Sequence, residues 1–215
     1  MDVSRRVVIT GMGAVSSIGN TVPELWASLL AGRGGVGPIT RFDTTGFRTR
    51  IGGEVRDLKI DDYLDGKEAQ RLDLFCHYAI VAAVQAMKDS GLEASPFDHE
   101  RAGVFVGSGV GGIITFEEQA ARLKAGGPSR VSPFLIPKLI SDMASGCISI
   151  RFNLCGPNFS IVSACATGTH CIGEAWWAIR RGDADVMVAG GAEAPICPVG
   201  VGGFCAMRAM TERND

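Results

Sequence analysis

The sequence has no Cys-x-x-Cys pair, and its three histidines (His77, His99, His170) stand far apart. Zinc sites and disulfide frameworks usually show such pairs at short, regular spacing, so neither metal nor a disulfide scaffold is expected. No apolar run reaches the roughly 18 residues that a membrane span requires. The N-terminal stretch goes from two arginines into a strand-like run and lacks the signal-peptide pattern of apolar core and small-residue cleavage site. Charge of one sign is also missing. Twenty-one basic side chains face twenty-three acidic ones, for a net charge of -2, which excludes a nucleic-acid binder held by bulk positive charge. Neither a Walker A sequence nor a GxSxG elbow occurs, so phosphoryl transfer and serine hydrolysis have no footing.

Glycine is present in excess: 29 of 215 residues, close to twice the usual ~7%. The glycines cluster at the ends of apolar runs, where backbone turns sharply or approaches something closely. Seven cysteines run from Cys76 to Cys205. They are expected to be reduced thiols of a cytoplasmic protein, most of them small buried hydrophobes. With 46% hydrophobic and 20% charged residues, the balance is that of a globular chain.

Strand patterns are expected at residues 6–10, 101–106, 159–163 and 185–189. Helices are expected at 23–30 (with Thr21 as N-cap), 67–90 (stopped by Gly91), 115–123, 137–151, 169–181 and 204–210. Residues 34–65 read as a turn-rich surface excursion. The alternation argues for an α/β layered fold around a largely parallel sheet, without a linker or an internal repeat. The absence of a closing element after the last helix suggests a truncated domain.

Cys165 is the foremost candidate for chemistry. A strand pattern stops before Ala164-Cys165-Ala166-Thr167-Gly168, and a helix starts at once. A sulfur at a helix N-terminus favours the thiolate. Small neighbours leave room for an acyl group, and the backbone N–H of Cys165 is a candidate oxyanion donor. The rival reading is an inert cysteine at a strand end. None of the histidines is a convincing base. His170 projects from the following helix as a packed or hydrogen-bonded residue, and His77 and His99 read as structural. The GxGxxG match at residues 107–112 suggests a dinucleotide fingerprint. However, the acidic residue expected about 20 positions later is replaced by Arg130-Val131-Ser132. Lys67, Arg71, Arg208 and Arg213 form a candidate basic patch, with ordinary solvated side chains as the alternative.

The run from Gly156 to Gly168, GPNFSIVSACATG, followed by Ile172-Gly173, resembles the active-site signature of the β-ketoacyl-[acyl-carrier-protein] synthases of type II fatty-acid elongation. RRVVITGMGAVSSIGN, GSGVGG, VSPFLIP, GDADVMVAGGAEA and GVGGFCAMRAM fall in that family's order, so the resemblance covers the whole chain. It implies a thiolase-like fold, in which two α/β halves, each with a five-stranded mixed sheet, build an αβαβα molecule. Residues 1–215 match the N-terminal half. The family's two catalytic histidines, its lysine and a second oxyanion donor belong to the other half.

The resemblance further implies a decarboxylative Claisen condensation between an acyl chain on Cys165 and malonyl-[acyl-carrier-protein], with no metal or organic cofactor. It assigns Val110 and Leu135 to the acyl pocket, Leu135 reaching it from a dimer mate, and Phe204 to the acyl entrance. Lys67, Arg71 and Arg208 fall on the docking surface for acyl carrier protein. Residues 159–163 become the edge of a homodimer. The alternatives are a non-catalytic fragment or partner subunit, and a polyketide-type ketosynthase.

Overall fold

A computed structural model describes residues 5–215. Its centre is a parallel pair, β3 (Ala102–Gly107) and β4 (Val186–Gly191), in register from Ala102 beside Val186 to Gly107 beside Gly191. All six residues of β3 are buried, as expected of a strand covered on both faces. Val104 and Val106 enter the larger core, with Phe75, Cys76, Ala79 and Ile80 of α3 (Leu74–Ser90) and Ala144 and Ile148 of α6 (Met143–Phe152). Phe105 points the other way, onto Cys171, Ala175 and Ala178 of α7 (Thr167–Arg181). Strand alternation thus produces helix–sheet–helix layers, and each fully buried large side chain contributes about 2 kcal/mol.

Polar groups fix the register at one end of the pair. Arg101 donates to both carboxylate oxygens of Asp185 (2.6 and 3.0 Å) and to the Gly182 carbonyl. The Arg101 guanidinium holds the Asp185 carboxyl below the usual carboxylate range. Because the two strands end level, the turns after Gly107 and Gly191 lie together. In open α/β sheets this carboxyl end is where ligands bind.

Several helices begin and end where local chemistry requires. In α1 (Val22–Leu30), Thr21 caps the Glu24 N–H and the Glu24 carboxylate accepts from the Asn20 N–H. Gly91 closes α3 in the left-handed region (φ 70°). The helix expected over 67–90 is in fact two, α2 (Gly66–Gln70) and α3. The buried Asp73 lies between them in extended backbone. It caps Phe75, and its other oxygen accepts from the Thr115 N–H and hydroxyl at the start of α4 (Ile113–Gly126).

The helix expected over 137–151 also divides, into α5 (Leu135–Leu139) and α6. The Leu139 carbonyl, which would serve Met143 in a continuous helix, accepts instead from the Gly112 N–H (3.0 Å). The last helix, α8 (Pro198–Ala206), starts and stops earlier than expected, and Arg208 just beyond its end has φ 56°. Pro198 presets its first turn.

Two expected strands form no ladder, and among the described residues the main sheet has two strands, β3 and β4, where the resemblance implies five. Residues 6–10 join no ladder, and Val8 and Ile9 are largely exposed. The flanking backbone bonds to side chains instead: Asp89 takes the Met12 N–H, Gln85 the Ala14 N–H, and Arg180 donates to the Arg5 carbonyl. Residues 159–163 run beside β3, but only Asn158 forms a bridge, with Val104. The buried Ser145 hydroxyl enters the next rung. It accepts from the Val106 N–H (2.8 Å) and lies 3.2 Å from the Phe159 carbonyl.

The 34–65 excursion is more anchored than expected. It forms the short antiparallel pair β1 (Gly37–Pro38) and β2 (Ile51–Gly52), and it buries Ile39, Thr49, Glu54 and Leu64. Burial raises the pKa of the Glu54 carboxyl. Hydrogen bonds from the Thr40 hydroxyl, the Thr40 N–H and the Arg41 N–H outweigh that and leave it below its ordinary range.

Candidate active site at the Cys165 elbow

The chain leaves the side of β3 at Ser163, makes one tight turn over Ala164–Ala166, and enters α7 at Thr167. Ala164 has φ 51°, in the left-handed region, which costs an L-residue about 1–2 kcal/mol. The turn lifts Cys165 to the surface as an exposed free thiol, while Cys76, Cys171 and Cys197 are buried. Burial pushes the Cys197 thiol up to about 11.

The strained turn is tied to the helix that follows it. The Ser163 N–H donates to the Thr167 hydroxyl (2.9 Å), and the Ala166 N–H to the Ser163 carbonyl (3.1 Å). The Ser163 hydroxyl and Nδ1 of His170 share a hydrogen bond of 2.6 Å.

Small residues let the strand ends close around the elbow. A methyl group on Gly107 would meet the Ile161 carbonyl, the Thr167 methyl at 2.5 Å and the Cys171 sulfur at 3.1 Å. One on Gly191 would lie 2.9 Å from the Cα of Gly168 in the first turn of α7. A methyl group on Gly109 would meet the Glu193 carboxylate at 2.7 Å and the Cα of Ala164 at 3.4 Å. That carboxylate accepts from the Ser108 hydroxyl and the Gly109 N–H, each at 2.7 Å. The Ser108 oxygen accepts in turn from the Gly111 N–H. The glycine-rich turn is therefore braced by an anion against the elbow. A phosphate at the Gly109 amide would face Glu193, which opposes the dinucleotide reading of GxGxxG.

The resemblance-derived site residues fall in three places. Val110 is exposed on the braced turn, beside the elbow. Leu135 is half-buried at the start of α5, which packs on the same turn through the Gly112–Leu139 bond. Phe204 is exposed on α8, next to an open cavity of about 520 Å³ lined by Thr45, Phe47, Arg48, Gly202, Cys205 and Arg208. Lys67 and Arg71 are exposed at the two ends of α2, with the Arg71 guanidinium over the Phe134 ring (5.5 Å). Arg208 belongs to the cavity.

The histidines behave as read. Nε2 of His77 bonds the Ala69 carbonyl, and burial lowers its pKa; Nδ1 of His99 bonds the Asn153 carbonyl. His170 is hydrogen-bonded, but its partner Ser163 lies two residues before Cys165. Sequence reading missed Glu193, Ser108 and Ser163. The one available signal was a charged residue placed immediately after the glycine-ended strand β4.

The site can therefore offer an exposed thiol, held by a strained turn at the start of a helix, with backbone and small side chains around it. The family model described as "Beta-ketoacyl synthase, N-terminal domain" matches residues 4–215. The 3-oxoacyl-[acyl-carrier-protein] synthase 2 of Staphylococcus aureus (strain COL) is 49% identical over all 215 residues, which cover 52% of that relative. A crystal structure of a beta-ketoacyl synthase from Burkholderia phymatum STM815 superposes with a TM-score of 0.87 at 29% identity, covering 98% of this chain and 52% of the other. The ishigamide ketosynthase/chain length factor gives 0.85 at 33% identity, covering 96% and 52%. The chain spans about half the length of the curated relatives it matches.

Proposed function

The chain belongs to the β-ketoacyl synthase family, whose N-terminal domain it matches from residue 4 to 215, and on that premise we propose that Cys165 is the acyl acceptor of a 3-oxoacyl-[acyl-carrier-protein] synthase. The Cys165 sulfur attacks the thioester carbonyl of an acyl carrier protein, and the carrier thiol leaves with a proton. Malonyl-carrier protein then loses carbon dioxide. The enolate carbon so formed attacks the Cys165 thioester, giving a 3-oxoacyl product and restoring the thiol. Residues 1–215 act as the N-terminal half of a two-half catalyst, and the groups that stabilise the enolate come from the other half. By themselves they do not condense.

The observation that carries this reading is the elbow: an exposed thiol on the tight turn that begins with a left-handed Ala164 and leads directly into α7, at the carboxyl ends of β3 and β4. Val110 and Leu135 line the acyl pocket and Phe204 its entrance. Lys67, Arg71 and Arg208 attract an acidic carrier protein. A homodimer forms along residues 159–163, where Phe159 and Val162 are exposed. Seven free thiols suit the cytoplasm. The test joins this chain to its C-terminal half and offers acyl- and malonyl-carrier protein. Mass spectrometry is expected to find the acyl group on Cys165, and Cys165→Ala to lower condensation at least about a thousandfold. Condensation unchanged in that variant overturns the assignment.

The likeness to a ketosynthase/chain length factor pair supports a second reading, a ketosynthase of polyketide assembly. The two part on product: a single two-carbon extension followed by reduction marks fatty-acid synthesis, and repeated unreduced extension marks the other. A purely structural partner subunit is disfavoured, because such partners usually replace the cysteine.

A further inference from the structure

His170 is a polar side chain near the elbow to which the proposed reaction gives no work. It projects from the first full turn of α7, and its Nδ1 lies 2.6 Å from the Ser163 hydroxyl. The Ser163 N–H is held to the same helix by Thr167, and the Ser163 carbonyl accepts from Ala166 within the turn itself. Ser163 is thus secured at three points, and the next residue, Ala164, carries the unfavourable φ of 51°. A non-glycine residue keeps such a conformation only when its surroundings enforce it. From the Gly109 side the restraint is close backbone packing, since a methyl group on Gly109 would lie 3.4 Å from the Ala164 Cα. Only Ser163 pins the turn covalently adjacent to the strain.

We infer that His170 and Ser163 form a positioning pair: their hydrogen bond clamps the residue before Ala164 to α7, keeps Ala164 left-handed, and thereby fixes where the Cys165 sulfur stands. Neither side chain touches substrate. The pair deepens the reading of Cys165 as acyl acceptor, and its failure can be told from the failure of that reading. The absence of an acyl adduct on Cys165 in the unaltered protein would defeat the function. The clamp is judged by the reactivity of Cys165 toward a small reagent.

The chain supplies its own reference, because Cys155 is also exposed and free and lies outside the elbow. The experiment is timed alkylation of the 215-residue chain with iodoacetamide, read by peptide mass spectrometry as the Cys165-to-Cys155 rate ratio. A hydrogen bond of ordinary net strength predicts a fall of about three- to tenfold in that ratio for His170→Ala and for Ser163→Ala. His170→Asn places an amide atom where Nδ1 stands, and is expected to restore the ratio to within about twofold of the original. The double variant should fall no further than either single one, because both remove the same bond. A ratio unchanged in the single variants overturns the clamp. So does a double variant that falls by the product of the two, or equal slowing at Cys165 and Cys155, which would mean general loosening.

Discussion

Cys165 and Cys76 are the same side chain in opposite settings. Cys76 sits in the first turn of α3, wholly buried, where its hydrogen bond with Cys147 and then desolvation push its thiol far above the ordinary range. It is covered by side chains: Phe75, Ile80, Val104 and Ile148 belong to the same core. Cys165 stands exposed on a turn whose nearest restraints are backbone, from Gly107, Gly109, Gly168 and Gly191. The difference teaches where each region keeps its rigidity. The α3 core is held by interdigitated volume and relaxes when volume changes. The elbow is held by close main-chain contact and by the hydrogen bonds of Ser163 to Thr167 and His170, which leave it little room to move.

The strongest challenge to that contrast is Gly107→Ala. Its new methyl meets the Ile161 carbonyl and the Thr167 methyl, so we expect about 3 kcal/mol of lost stability in urea unfolding. A loss under 1 kcal/mol would show that the elbow can yield after all.

Next comes Cys76→Ser, which sets a hydroxyl in an apolar core at a cost of about 2 kcal/mol. Its alkylation rate at Cys165 should match that of the original chain. A slowed Cys165 would show that the two regions are coupled and the contrast false.

The smallest effect, and the sharpest in sign, compares one substitution in both places. Ala79→Gly in α3 should cost about 1 kcal/mol, the usual penalty in a helix interior. Ala164→Gly replaces a strained left-handed residue with one that has no such strain, and should change stability by between zero and a gain of about 1 kcal/mol. Equal losses at both positions in thermal melts would refute the strain at Ala164.

Much of this was legible along the chain. β3 and β4 were, because each is a continuous apolar run ending in glycine, the pattern of parallel strands, and β3 is buried along its whole length. So were the elbow and the place of Cys165 on it, where a strand-like run, small residues and a helix follow without a gap. The breaks at Asp73 and at Ile140 were not, since each depends on a distant partner, Thr115 or Gly112. Residues 159–163 have the composition of a strand, yet their pairing is decided by where α6 delivers Ser145. Glu193 escaped notice for the same reason. Its bonds reach back more than eighty residues to Ser108 and Gly109, and no local pattern announces them.

The Ser145 hydroxyl has a dynamic counterpart to its structural position. The Val106 amide is satisfied by a helix side chain rather than by a neighbouring strand. Its exchange with deuterated solvent is therefore governed by excursions of α6, not by peeling of the sheet. Val104, whose amide donates to the Pro157 carbonyl, answers to the segment that carries the elbow. Two amides two positions apart on the same inner strand thus report on motions of two different partners.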